Sequence, residues 1–198
     1  MVVGQNHHGG DHMIHDLDTL SQINLKGKIA LVVGGSGSIG RGISQRLFEA
    51  GADLIIVSRN IKKNLSNKKK IYIPMDASKE KNVKDVYNWV IKKYKRIDIL
   101  ILANGIQNRK PFNKIKLDEW NDILANNLTS VFLICKYFTK SMIKNNYGKI
   151  VGITSLTSFM GIRNISAYGA SKGGMTQFLK SISIELADSN ITVNMVSP

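Results

Sequence analysis

From Lys28 onward, the apolar positions of this chain switch repeatedly between an uninterrupted run and a helical spacing. The runs Ile29–Val33, Leu54–Val57, Ile71–Ile73, Ile99–Leu102, Lys149–Ile153 and Ile191–Val196 read as short strands covered on both faces. Between them, Ile39, Ile43 and Leu47 mark a helix over Ile39–Ala50 that Gly51 stops. Val83, Val86, Tyr87 and Val90 share one side of a helix over Lys79–Lys95. Leu117–Lys144 reads as a long helix with a break near its start, and Tyr168–Ala187 as another. Strands alternating with amphipathic helices predict parallel βα units joined by right-handed crossovers. The expected fold is an α/β, doubly wound parallel sheet in a single domain over residues 25–198, preceded by a flexible polar leader, 1–24. Ile191–Val196 would be a bare apolar edge with only Ser197-Pro198 after it, so the domain is expected to be truncated after its sixth strand.

Composition narrows the setting. With 198 residues and 43% hydrophobic content, one domain can bury a sizeable core. The single cysteine, Cys135, excludes an internal disulfide and lies in the apolar stretch Val131–Cys135, where it packs in the core. No run approaches the ~20 apolar residues of a membrane span, and the N-terminus lacks the apolar core of a signal peptide. A soluble, reducing, cytoplasmic protein with no membrane partner is expected. His7, His8, His12 and His15 sit among glycines in the leader, which reads as a disordered arm, and no metal is expected. The net charge of +14 is scattered, and its only dense run is Lys62-Lys63 with Lys68-Lys69-Lys70. No aromatics interleave with it, so no nucleic-acid partner is expected; a positive surface would draw in an anionic cofactor or sugar acid.

Three features carry chemistry. Gly35, Gly37 and Gly40 form a G-x-G-x-x-G between a strand and a helix, where glycine backbone and free helix N–H groups suit a dinucleotide pyrophosphate. The second strand ends in Ser58-Arg59, a donor and a cation where a carboxylate would repel a 2′-phosphate; this favours NADP, with NAD as the second choice. Tyr168 and Lys172 lie one helical turn apart on one face. An ammonium ~4 Å from a phenol, at an effective dielectric of ~20, favours a phenolate by an upper figure of roughly 4 kcal/mol, enough to make tyrosine a proton donor and acceptor near neutral pH. Ser155 is placed to bind the same substrate oxygen. For a bare Y-x-x-x-K the alternative is a surface helix that carries both residues by chance.

Taken together, these motifs over Leu25–Pro198 resemble the short-chain dehydrogenase/reductase family and its Rossmann fold. That family carries T-G-x-x-x-G-x-G, D-x-L-x-N-N-A-G, a helix Asn, a Ser, Y-x-x-x-K and N-x-x-x-P-G. Val33–Gly40 occupies the first motif, with Val33 for threonine and Ser38 for the middle glycine. Asp98–Gly105 occupies the second, with Leu102-Ala103-Asn104-Gly105 for Asn-Asn-Ala-Gly; this change is expected to weaken the tie between strands beside the cofactor. Asn127, Ser155, Tyr168 and Lys172 match the remaining positions, and Asn194 and Pro198 begin the closing motif. The stretch Arg59–Asp76 is short for the family, so the helix between the second and third strands is expected to shrink to a turn or two.

The resemblance implies catalytic roles for Asn127, Ser155, Tyr168 and Lys172. It implies cofactor contacts from Gly34, Ser36, Gly37, Ser38, Ile39, Gly40, Ser58, Arg59, Asp76, Ala77, Ala103, Asn104, Gly105, Tyr168, Lys172 and Pro198. Ser155 and Tyr168 would hold the substrate oxygen, Tyr168 exchanging its proton. Lys172 would assist Tyr168 and bind the nicotinamide ribose, and Asn127 would kink the helix and anchor a relay water. The implied reaction interconverts a secondary alcohol and a ketone with NADP(H), in a homo-oligomer, dimer or tetramer, when complete. Gly105–Phe112 and Asp118-Glu119-Trp120 are most similar to gluconate 5-dehydrogenases, pointing to a sugar acid such as gluconate or 5-ketogluconate. The alternatives are 3-oxoacyl-[acyl-carrier-protein] reduction and a non-catalytic oligomerisation module.

Overall fold

The computed structural model describes residues 23–61 and 66–198; the histidines of the leader, Lys62 and Lys63 lie outside the described residues. Six parallel strands are ordered β3-β2-β1-β4-β5-β6. They are β1 (Ile29–Val33), β2 (Asp53–Ser58), β3 (Lys70–Pro74), β4 (Ile99–Leu102), β5 (Gly148–Ile153) and β6 (Ile191–Val196). Helices α1 (Ser38–Glu49), α2 (Glu80–Tyr94), α3 (Leu117–Leu124), α4 (Ser130–Lys144) and α5 (Ser166–Glu185) cross over between them. This is the expected doubly wound, Rossmann-type sheet.

Alternation along the strands sorts the core into two layers. Leu31 and Val33, with Ile55, Val57, Leu100 and Leu102, pack against α2, α4 and α5 through side chains such as Val83, Phe138 and Met175. Ala30 and Val32, with Leu54, Ile56, Ile99 and Ile101, form a smaller cluster with Ile43, Leu47 and Phe48 of α1. Each fully buried Leu, Ile, Val or Phe contributes ~1.5–3 kcal/mol, so the first layer carries most of the stability. Cys135 belongs to that layer. Burial pushes its thiol up to about 12, which leaves it a packing residue.

The short helix expected between β2 and β3 falls on a stretch whose residues 62–65 lie outside the described residues; the described part shows a turn at Arg59-Asn60. The expected break in the long helix is a π turn over Ala125–Thr129, in which the Ser130 N–H bonds to Ala125 O. Two details differ from the sequence expectation. The helix bearing Tyr168 starts at Ser166 rather than at the tyrosine. The edge strand β6 is not apolar throughout: Ile191 is buried, whereas Thr192, Asn194 and Val196 face outward. Its exposed row is therefore partly polar, which blunts the edge.

The strand order reverses between β1 and β4. A crevice forms at such a reversal, beyond the C-terminal strand ends.

Candidate active site

A cleft of about 260 Å³ occupies that crevice, walled by the ends of β1, β2 and β4. Gly34 leaves β1 with φ of +78°, and a Cβ there would sit 2.6 Å from the Asn104 nitrogen. A Cβ on Gly40 would overlap the Gly34 carbonyl. Both positions therefore exclude side chains, and the loop folds tightly against the residues after β4. Gly37 precedes α1 and supplies no side-chain cap, so the first-turn N–H groups stay available to an anion.

Of the residues expected to hold a cofactor, Gly34, Ser36, Gly37, Ser58, Arg59, Ala77, Ala103, Asn104 and Gly105 line this cleft. Ser36 Oγ and Ser58 Oγ are hydrogen-bonded at 2.6 Å, joining the glycine loop to β2. Ser38, Ile39 and Gly40 form the first turn of α1 behind the loop. Asp76 does not line the cleft; its Oδ1 accepts from Ser78 N at 3.0 Å and Ser78 Oγ at 2.7 Å. Burial raises the Asp76 pKa, but these hydrogen bonds and the charges of Arg59 and Lys79 outweigh it and hold the carboxyl below its ordinary value. Pro198 lies exposed beyond β6 and does not line the cleft.

Sequence reasoning missed Val33, Val57, Asn60, Met75, Ile106 and Asn126 on the wall. The strand-end positions of Val33 and Val57 were a usable signal. Asn126 had none, because the π turn shifts the helical register there.

Next to the cleft lies a dry centre. Asn127 is 0% exposed and Lys172 is 3% exposed. Asn127 Oδ1 accepts from Ile106 N at 2.7 Å, and its Nδ2 donates to Ile106 O at 2.9 Å and Ser171 Oγ at 3.0 Å. The Asn127 side chain thus fastens the loop after β4 to α5. Gly105 lies between this amide and the lysine: a Cβ there would be 3.3 Å from Asn127 Oδ1 and 3.5 Å from Lys172 Nζ. Lys172 Nζ donates to Ile153 O at 2.7 Å and lies 5.9 Å from the centre of the Tyr168 ring. The ammonium thus sits near the ring and anchors on β5. Desolvation by burial lowers its pKa to about 8, so it remains mainly charged at pH 7.

Ser155 follows β5, whose end is pinned to β6 by Thr154 N donating to Val196 O at 2.8 Å. Ser155 Oγ accepts from Thr157 N at 3.2 Å, which leaves its hydrogen for another acceptor. The 3-10 turn Leu156–Ser158 packs on α5, with Thr157 O 3.5 Å from the position of a Cβ on Gly169. Ser155 and Tyr168 are thereby held on adjoining elements.

The loop from Gly105 to Lys116 is clamped from outside. Lys110 Nζ donates to both Glu119 oxygens, at 2.6 and 2.8 Å. That hydrogen-bonded ammonium holds the Glu119 carboxyl below its ordinary value. Lys110 N donates to Asn164 O at 2.7 Å, joining this loop to the segment before α5. Arg109 and Arg163 precede the joined residues, and neither forms an ion pair among the described residues.

A short chain dehydrogenase profile matches residues 28–198. The chain is 36% identical over 183 residues to the 3-oxoacyl-[acyl-carrier-protein] reductase FabG of Salmonella typhimurium, covering 89% of this chain and 74% of the relative. It is 33% identical over 186 residues to the protein of the same name from Aquifex aeolicus, covering 89% and 75%. Its fold is similar to that of a gluconate 5-dehydrogenase from Burkholderia cenocepacia solved with NADP and tartrate: TM-score 0.85, 28% identity, covering 91% of this chain and 74% of the other. A Streptomyces avermitilis short-chain dehydrogenase shares the fold at TM-score 0.82 and 23% identity, with 86% of this chain and 66% of the other covered. The chain spans about three quarters of the length of these curated relatives. Among the described residues no helix is long and apolar enough to cross a membrane. The chain belongs to the short-chain dehydrogenase family, whose members are oxidoreductases acting on CH–OH groups with a nicotinamide cofactor.

Proposed function

We propose that the chain is an NADP(H)-dependent oxidoreductase that interconverts a secondary alcohol and a ketone on a sugar-acid substrate. The observation that carries this reading is the buried Lys172 ammonium, anchored on Ile153 O beside the Tyr168 ring and separated by Gly105 from the cleft. The cleft's chemistry fits the dinucleotide: a glycine turn with no room for side chains, an uncapped helix start for pyrophosphate, and the Arg59 cation beside Ser58 for a 2′-phosphate. When bound, the nicotinamide supplies or takes the hydride. Ser155 Oγ donates its free hydrogen to the substrate oxygen. Tyr168 gives that oxygen its proton during reduction and takes it back during oxidation. Lys172 keeps positive charge beside the phenol and offers its remaining N–H groups to ribose hydroxyls. Asn127 fixes the loop wall next to the ammonium.

For the substrate, Arg109 and Arg163 each precede a residue of the backbone tie between two loops, which puts two guanidinium groups on joined segments, a pattern suited to a carboxylate. A second reading, reduction of a 3-oxoacyl thioester, is favoured by the names of the curated relatives. We also propose that the protein forms a homo-oligomer, supported by the half-exposed Phe132 and Ile143 on the outer side of α4. A reducing cytoplasm suits its unpaired, unreactive Cys135. The test is turnover with NADPH and NADH on 5-ketogluconate, other keto sugar acids and an acetoacetyl thioester. Turnover of 5-ketogluconate with NADPH supports the proposal, preference for the thioester supports the second reading, and no turnover with any of them contradicts both.

A further inference from the structure

Asn104 stands where the family pattern has alanine, and the structure gives its side chain two separate tasks. It lines the cleft wall at the end of β4. Its Nδ2 donates to Asn126 O and to Ser130 Oγ, each at 2.7 Å. Ser130 Oγ in turn donates to Asn126 O at 2.6 Å, and Ser130 is 0% exposed. The Asn126 carbonyl takes these side-chain donors because the π turn diverts the Ser130 N–H to Ala125 O. A regular α-helix would pair that N–H with Asn126. The expected weakening beside the cofactor is therefore met by a new tie, from the loop to the π turn instead of to a strand. Ala103 N still donates to Val33 O at 2.9 Å, so the strands also remain joined.

The orientation of the Asn104 amide is fixed by this network. Reversing it would set Oδ1 against the Asn126 carbonyl, two acceptors facing each other. Oδ1 is consequently left buried with no donor from the protein, on a residue of the cleft wall. The next residue of the π turn, Asn127, is held by Ile106 and faces Gly105 and Lys172. Residues 104 and 106 thus grip consecutive residues of one turn.

We propose that Asn104 is a positioning residue that couples the cleft to the active centre: its Nδ2 locks the π turn that carries Asn126 on the cleft wall and aims Asn127, so that a dinucleotide seated against that wall tightens the turn. This rests on the dinucleotide reading above. The test is amide hydrogen exchange of residues 124–131, with and without saturating NADPH, in the full chain and in Asn104→Ala. Nucleotide fluorescence reports binding independently. NADPH is expected to slow exchange of this segment at least fivefold in the wild type. Asn104→Ala should bind NADPH roughly tenfold more weakly and, once saturated, show less than twofold slowing. A residue that only supports the fold would raise exchange in the free protein and leave the NADPH-dependent slowing intact; that result overturns the proposal. Ser130→Ala, which alters the network without touching the cleft, guards against misfolding of the first variant. It should keep NADPH affinity within twofold and lose at least half of the slowing, and full slowing in it would also count against the coupling. If the wild type binds NADPH without any slowing, this inference fails alone; if it binds no dinucleotide, the reading it rests on fails with it.

Discussion

Ser36, Gly37, Arg59 and Asn60, at the ends of β1 and β2, are exposed to solvent, whereas Asn127 and Lys172, just behind Gly105, are almost wholly buried. The two regions solve different problems. In the proposed reading the exposed one recognises through backbone: tight glycines, a free helix start and one exposed cation. Water competes for every contact there, so each is worth little by itself. The buried region relies on side chains whose partners are fixed, and removing water makes each charge and hydrogen bond count for more. Affinity should therefore be spread over the first region and chemistry concentrated in the second.

Tyr168→Phe attacks the concentrated half and should have the largest effect. It keeps the ring and deletes the proton, so turnover should fall by roughly 10²–10⁴-fold, while NADPH affinity, measured by fluorescence titration, stays within about threefold. A comparable loss of affinity would blur the division.

Lys172→Met comes next, and its signs are opposite for function and stability. The folded-state pKa of Lys172 is lowered from 10.5 to about 8, so the native state binds its proton less tightly than the unfolded chain does. The resulting penalty is fully present below pH 8 and disappears as pH rises from about 8 to 10.5. In the ligand-free protein Lys172→Met should add about 1–3 kcal/mol at pH 7, after allowing for the lost bond to Ile153. Denaturant melts should show this gain shrinking above pH 8. Turnover and nucleotide affinity should both fall, because the same ammonium serves both.

Gly40→Val tests the backbone half. Its side chain would collide with the Gly34 carbonyl, costing about 1–3 kcal/mol and lowering Tm by roughly 3–10 °C. Thermal melts of variant and parent check this, and an unchanged Tm would mean the loop yields easily.

The smallest effect expected is at Arg59. A charge-assisted hydrogen bond contributes about 1.5–3 kcal/mol, so Arg59→Ala should erase a tenfold to hundredfold preference for NADPH over NADH and leave NADH affinity nearly unchanged. The parent's preference should shrink at high salt, since Arg59 is exposed. Equal KM values for both cofactors in the parent would remove Arg59 from the site.

What could be read in advance follows the same divide. The strand positions, the glycine loop and the one-turn spacing of Tyr168 and Lys172 depend on local periodicity and steric exclusion, which a sequence displays directly. A break in the long helix is legible too, since Ala125–Thr129 carries two asparagines and a threonine, weak helix formers; its form as a π turn tied to Asn104 and Ile106 is not. Lys172 reads as a charge near Tyr168, but its anchor on Ile153 appears only once β5 and α5 are packed. Asp76 shows the converse: a motif position suggested the cofactor, while a local turn with Ser78 claims its carboxylate. Tertiary hydrogen bonds between residues far apart in the chain are what the sequence conceals.

The central claim is that the centre behind Gly105 is dry and holds a charged lysine whose proton is loosened by burial. Selective ¹³C labelling of the lysine ε-carbon, with Lys172→Met to assign its signal, lets that one side chain be titrated by NMR in the folded, ligand-free protein. The account predicts a midpoint near pH 8 for Lys172, well separated from the other lysines. A midpoint near 10.5, among the exposed lysines, would show the ammonium in water and contradict it.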